Sequence, residues 1–204
     1  MMLKGEYQLP DSLETIHCGV QKQAKKVFKR NDKPYQKFSE HIGLIPLVMV
    51  APADITIIIG GSEERRKFMD SVISQYDRLY LKKLVAYNNL LTKRNKLLKQ
   101  KSQRDLLLII SEQMAVLANY IYDKRQDFTR QIIPIFQKYY KEISAGKEVV
   151  DIAYESQLNT ANFMELATQS IEKDCILGHT SAGVHRDNLI FQLSGYPIRK
   201  EGSQ

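Results

Sequence analysis

The sequence predicts an α+β protein in which small antiparallel β elements flank one long antiparallel helical hairpin, an arm. Three observations carry this. Residues 1–50 hold apolar runs too short for helices and separated by turn residues. Residues 77–143 hold apolar residues at helical spacing, with no glycine and a single proline. Beyond Gly146, short alternating runs return.

In chain order, residues 2–7, 15–20 and 25–29 read as strands, punctuated by Pro10-Asp11-Ser12 and by Asn31-Asp32-Lys33-Pro34. These turn residues favour a small antiparallel unit. Residues 45–50 are a further buried-strand candidate, stopped by Pro52. After Gly60-Gly61, Ser62 with Glu63 and Glu64 in the first turn starts a helix that runs to about Gln75. From Asp77 to about Lys101, Leu84, Tyr87, Leu91 and Leu98 share one stripe, while Lys82, Asn89, Lys93 and Lys96 share another. That is the pattern of an amphipathic helix. A second stripe through Leu107, Ile110, Met114, Leu117, Ile121, Phe128 and Ile135 predicts a long helix reaching Ile143. Pro134 predicts a kink or break near Gln131, since proline lacks the amide and crowds the preceding turn. The two helices, joined near Lys101-Ser102-Gln103, should bury each other's stripe. Residues 149–154 then alternate like a strand, 160–173 read as helix, and 189–193 with 197–199 flank Ser194-Gly195 as a β-hairpin. The resulting division is a β-rich part at 1–60, the arm at 61–146 and a returning strand, helix and hairpin segment at 147–204.

Composition is that of a globular protein, with 43% hydrophobic and 26% charged residues. No apolar run approaches the ~20 residues of a membrane span, and the N-terminal residues lack the apolar core of a signal peptide. A cytoplasmic protein with no membrane partner is the expectation. Cys18 and Cys175 stand apart without a Cys-x-x-Cys pair, which predicts two reduced thiols. Net charge is +7, and residues 65–104 alone carry twelve Lys and Arg against Asp70 and Asp77, a local excess of ten. Clustered cations of this kind suit phosphate binding and favour an acidic partner such as nucleic acid, with DNA contact by this segment as one reading. Arg65, Arg66, Lys82, Lys93, Arg94, Lys96 and Lys99 are the candidates. A solvated helix face explains such a run too, and Arg66 four residues before Asp70 makes an ordinary helix pair.

Catalytic signatures are missing. The one Gly-Lys, Gly146-Lys147, is followed by Glu148 and lacks the preceding glycine of a phosphate loop. No apolar strand ends in Asp-Glu to hold Mg²⁺. His179, His185 and Asp187 are too few for a metal site, and Ser181 beside His185 and Asp187 is no evidence for a triad. Surface and turn residues are the expected role of this group, with no catalytic and no metal-binding residues.

Gly60-Gly61-Ser62-Glu63-Glu64-Arg65-Arg66-Lys67-Phe68-Met69-Asp70 resembles a segment of the RecF family that reads Gly-Gly or Gly-Ser, Arg-Arg, then Phe-Leu-Asp. Tyr87-Asn88, Lys93-Arg94-Asn95 and Leu97-Leu98-Lys99-Gln100 resemble that family's arm. Ala182-Gly183-Val184-His185-Arg186-Asp187-Asn188 resembles its Gly-Pro-His-Arg-Asp-Asp, with Val184 and Asn188 departing from it. The closing Glu201-Gly202-Ser203-Gln204 is similar to the start of the family's signature.

The resemblance spans nearly the whole chain and implies the central part of an ABC-type ATPase head related to SMC proteins, with the arm projecting from it. It implies ATP and Mg²⁺ as cofactors of a longer parent, and none for this chain. Of the nucleotide-site positions only Ser203 and Gln204 match, as the partial signature that one head offers to ATP on the other. The segment 48–54 falls where related ATPases switch lobes and sense nucleotide. Implied partners are DNA at single-strand/double-strand junctions, a second RecF protomer, RecR and RecO. This chain is then not an enzyme on its own, whereas its parent is a DNA-dependent ATPase.

Overall fold

In the computed structural model, which describes residues 1–20 and 26–198, the chain forms two compact units, Met1–Leu47 and Val48–Gln204. The first is an antiparallel meander of β1 (Met2–Gln8), β2 (Leu13–Gly19), β3 (Val27–Arg30) and β4 (Lys33–Pro34), in that order. Register runs from Met2 opposite Gly19 to Gln8 opposite Leu13, then Ile16 opposite Arg30. The β3–β4 turn places Asn31 and Asp32 at φ 49° and 64°, the left-handed pair that a two-residue hairpin requires and that Asn and Asp tolerate. Asn31 also accepts from the Thr15 amide at 2.8 Å and donates to Glu14. Glu14 is buried and receives a two-pronged bond from Arg30, at 2.7 and 2.5 Å, which holds its carboxyl well below the usual carboxylate range. Phe28, Tyr35, Phe38 and His41 stack over this sheet face.

Residues 45–50 are not a strand. Leu47, Val48, Met49 and Val50 are exposed, and Pro46 interrupts the run of backbone donors that a ladder needs.

The second unit opens with α1 (Thr56–Ile59) and α2 (Ser62–Tyr76), then the arm helices α3 (Arg78–Lys99) and α4 (Arg104–Ile143). Asp77 caps α3 by accepting from the Tyr80 amide at 2.8 Å. The hairpin bend uses Lys101 at φ 53°. Across the pair, Met69, Ile73, Tyr80, Tyr87, Ile110, Met114, Ala118, Ile121 and Phe128 form one core, with Leu98, Leu107 and Ile171 closing its far end. The predicted stripes are therefore the packed ones, apart from Ile135, which is exposed. Nor does α4 break at Pro134: it continues to Ile143, because Ile132, Ile133 and Phe136 pack on the core on both sides of the missing amide bond.

The returning segment comprises β5 (Val150–Glu155), α5 (Phe163–Gln169), α6 (Ile171–Leu177), β6 (Asn188–Leu193) and β7 (Tyr196–Pro197). The predicted helix over 160–173 is thus two short helices meeting at Ser170. Asn162 and Glu165 cap α5 reciprocally, with side chain to amide bonds of 3.0 and 3.2 Å. Gly178, at φ 69°, stops α6. Strands β5, β6 and β7 form an antiparallel sheet, and Ser194-Gly195 turns with φ of 50° and 86°. The α+β architecture of small antiparallel sheets and a long helical hairpin is the one read from the sequence. Among the described residues, no helix is long and apolar enough to cross a membrane.

Candidate nucleic-acid interface

Helix α3 turns two chemically different sides to its surroundings. Its inner side carries Tyr80, Tyr87, Arg94 and Leu98, all buried. Its outer side carries Lys82, Lys93, Lys96 and Lys99, all exposed, together with Asn88, Asn89 and Thr92. Among the described residues none of these four lysines forms an ion pair or hydrogen bond. With 1.5 Å of rise per residue, Lys82 and Lys93 lie about 16 Å apart along the axis, and Lys93, Lys96 and Lys99 follow one another at about 4.5 Å. Lys101 and Arg104 continue the exposed basic run around the bend.

The other candidate cations are structural. Arg94 is fully buried. Its Nη1 donates to Asp174 Oδ2 at 2.7 Å and to Thr180 Oγ1 at 2.8 Å, and its Nε donates to Ser111 Oγ at 3.0 Å. It therefore leaves the set of phosphate contacts: at position 94 the helix turns toward the same side as Tyr87 and Leu98. Arg65 leaves it too. It is 5% exposed, donates to Asn188 Oδ1 at 2.8 Å, and closes the end of α1 through the carbonyls of Ile57, Ile58 and Gly60. Arg66 is half-buried and donates to the Asp187 carbonyl at 2.6 Å, and burial lowers its pKa. Its partner is thus the 184–188 turn; Asp70 belongs to Arg125.

Arg125 of α4 is the centre of the largest polar network, and sequence reading passed over it. Its Nη1 donates to Val184 O and Asp187 Oδ2, both at 2.7 Å. Its Nη2 and Nε reach Asp70 Oδ1 at 2.9 and 3.2 Å. Tyr80 and Tyr154 add hydroxyl bonds of 2.5 Å to Asp70 and Asp187. Burial works against the guanidinium charge, but the surrounding Tyr80, Asp70, Asp187 and Tyr154 outweigh it and raise the pKa further. Arg125 of α4 thus bonds α2, α3 and the 184–187 turn directly, and β5 joins the network through Asp187. The available signal was a charged residue inside the apolar stripe, between Ile121 and Phe128; Arg94 gives the same signal in α3.

The 174–188 segment forms the back wall of α3. Asp174 Oδ1 accepts from the Ser181 amide and hydroxyl at 2.9 and 2.6 Å. Asn95 accepts from the Thr180 amide and hydroxyl at 2.8 and 2.7 Å. Gly183, at φ 127°, lies where a Cβ would meet Phe163 at 2.6 Å and the Tyr87 hydroxyl at 2.8 Å, so any other residue collides there. His185 bonds Tyr87 Oη at 2.9 Å through Nδ1 and the Thr180 carbonyl at 3.0 Å through Nε2. The carbonyl can only accept, so Nε2 carries the proton and Nδ1 accepts from Tyr87. Burial lowers the His185 pKa to about 4. His179 meets only the Leu177 carbonyl, and among the described residues no three His, Cys, Asp or Glu side chains converge as a metal site.

This arrangement sets a pH dependence. The folded-state pKa of His185 lies below the unfolded value near 6.5, so the unfolded chain takes up the proton first. Its contribution is complete above about pH 6.5 and is lost as pH falls toward 4, amounting to on the order of 2–3 kcal/mol. Thermal melting between pH 7.5 and 4.5 should show this decline, and His185→Asn should flatten that part of the profile.

Ser203 and Gln204, the signature positions, lie outside the described residues, as do the predicted strand ends Lys25 and Arg199.

Comparison with known proteins agrees with this fold. No protein-family model matches the chain. The RecF protein of Bacteroides thetaiotaomicron, named a DNA replication and repair protein, is 47% identical over the whole chain, and that of Flavobacterium johnsoniae is 43% identical. Solved structures of the recombination mediator protein RecF of the RecFOR pathway, with ATP and with ATPrS, superpose at TM-scores of 0.89 and 0.88 with 29% and 28% identity. They too match all of this chain, which covers 58% of theirs. The chain spans 56% of the length of its Bacteroides thetaiotaomicron relative. Over its whole length the chain is thus similar to RecF proteins, of which it spans somewhat more than half.

Proposed function

We propose that this chain is the DNA-contacting arm segment of a RecF-type replication and repair protein, and that Lys82, Lys93, Lys96 and Lys99 on the outer face of α3 bind nucleic-acid phosphates. The observation that carries this reading is that these four lysines are exposed and unpaired among the described residues while the basic residues of the inner face are consumed by internal carboxylates. Phosphate binding needs only such positioned charge, and the fixed inner face lowers the cost of ordering it.

The parent acts as an ATP-dependent dimer that closes on DNA at a single-strand/double-strand junction, in the cytoplasm, with RecR and RecO beside it. The 204 residues contain no phosphate loop, so they do not fit ATP and Mg²⁺ as a complete site. In this reading both belong to the parent, with Ser203 and Gln204 as the partial signature offered to the second protomer, and this chain alone turns over no ATP.

Charge reversal tests the reading. Lys93→Glu, Lys96→Glu and Lys99→Glu together should lower duplex affinity at least tenfold at low salt, measured by fluorescence anisotropy, with thermal melting unchanged. The alternative makes the arm a module for RecR or a second RecF without DNA contact, and it predicts little change in DNA affinity.

A further inference from the structure

Three adjoining depressions run from the surface of α4 to α5. The first, of about 370 Å³, lies between α4 and β5, with Tyr122, Gln126 and Arg130 on one wall and Ile152 and Asn159 on the other. The second, of about 310 Å³, shares Tyr122 with it and adds Asn119, Asp123 and Asn162. The third, of about 380 Å³, shares Asn162 with the second and continues along α5 past Glu165 to Gln169. Tyr122 and Asn162 are therefore the joints of one shallow groove. Its α4 margin, from Asn119 to Ile133, is about 21 Å long, the span of about six extended residues.

The lining is dominated by one chemical kind. Asn119, Gln126, Asn159, Asn162 and Gln169 are primary amides, spread over all three depressions. A primary amide offers the same carbonyl acceptor and N–H donors as a peptide group, so it pairs with main chain whatever the sequence. Gln126 and Asn159 are committed to the groove's own wall: Gln126 Nε2 donates to Tyr122 Oη at 3.0 Å, and Tyr122 Oη donates to Asn159 Oδ1 at 2.9 Å. Asn162 uses its Oδ1, which accepts from the Glu165 amide at 3.0 Å, and keeps its NH2 group for another acceptor. Asn119 and Gln169 are exposed and make no hydrogen bond among the described residues.

Charge narrows the partner. Asp123 and Glu165 are exposed and form no ion pair among the described residues, whereas Arg130, the cation of the lining, is bonded to Asp127 at 2.6 Å. In a chain of net charge +7 this groove is acidic, so it repels phosphates and attracts cations. Leu158, Ala161 and Met164 make small apolar steps between the amides, suited to single side chains rather than to the continuous stripe of a helix.

We infer that this groove binds an extended, basic peptide segment of another protein, whose main chain pairs with Asn119, Asn162 and Gln169 while a Lys or Arg side chain meets Asp123. The site differs from the lysine face of α3 in its residues and in the sign of its charge. Binding here therefore neither needs nor excludes phosphate binding there.

Selection of a phage-displayed library of random peptides, each about seven residues long, against the 204-residue chain tests it. The winning peptide is then made synthetically and titrated into the isotope-labelled chain, with the side-chain amide signals followed by NMR. Enrichment of Lys- and Arg-containing sequences is expected, with the signals of Asn119, Asn162 and Gln169 shifting on titration. Asp123→Lys should weaken binding about fivefold, and Asn119→Ala about threefold. Methylating the main-chain nitrogens of the peptide, which removes its backbone donors, should weaken it about tenfold. Asn119 and Asp123 are exposed, so both variants should melt as the parent does. Overturning results are no enriched peptide, a winning peptide that is acidic or shifts other residues instead, or an affinity indifferent to Asp123→Lys. A duplex oligonucleotide that shifts the same three side-chain amides would assign the groove to DNA and overturn the inference as well.

Discussion

Arg125→Ala should destabilise the protein by about 3–5 kcal/mol, enough to remove a large part of the stability of an ordinary domain. The reason is the state of what remains. Asp70 and Asp187 would lose their shared cation, and Asp187 is almost fully enclosed. The Val184 carbonyl would lose its donor, and the 184–187 turn would lose its tie to α4. Arg125→Lys should recover only part of the loss, because an ammonium cannot span Asp70, Tyr80, Val184 and Asp187 with the geometry of the guanidinium fork. Urea unfolding of the three proteins at neutral pH measures this. A loss below about 1 kcal/mol for Arg125→Ala would mean that water replaces the guanidinium freely, against its burial.

The second large effect concerns Arg94 and Asp174, both completely enclosed. Removing either partner alone leaves a bare charge inside, so Arg94→Met and Asp174→Ala should each cost about 3–5 kcal/mol. Replacing both by apolar residues, as Arg94→Met with Asp174→Leu, should cost clearly less than the sum, because neither charge is then stranded. A double-mutant cycle in urea reads the difference, and strict additivity would contradict a direct pair. The cycle also bears on α3, since Asp174, Thr180 and Ser181 hold its inner side.

Much of the fold was legible because it rests on local patterns. The stripes of residues 84–98 and 107–128 have one helical period each, and the short linker between them permits only an antiparallel hairpin. Turn residues at 10–12, 31–34 and 194–195 marked the strand pairs for the same reason: left-handed or fixed backbone angles select few residue types. Pattern alone misled where partners decide. Residues 45–50 have strand-like composition, but a strand is made by its neighbour, and no strand ladder runs through this segment. Pro134 was read by its local cost, which packing on both sides of α4 overrides.

The candidate site was legible in part. Helical spacing set Lys82, Lys93 and Lys96 on a stripe of their own, but Arg94 was kept with them as a candidate. Arg94 lies on the stripe of Tyr87 and Leu98, so a helical projection would have set it apart from Lys93 and Lys96 on either side. Its partner Asp174 stands eighty residues away, and nothing in one sequence links them. Arg65 and Arg66 stood among the phosphate candidates, with Asp70 as the structural alternative; their partners at 188 and 187 come from the other end of the unit, which no local pattern shows.

The most direct measurement of the central claim is the affinity of the 204-residue chain for duplex and gapped DNA across a salt series. If Lys82, Lys93, Lys96 and Lys99 each neutralise a phosphate, log K should fall against log salt with a slope of about −3 to −4, and each lysine reversed should reduce that slope by about one. An affinity that ignores salt, or no binding at low ionic strength, would contradict a phosphate-binding face on α3.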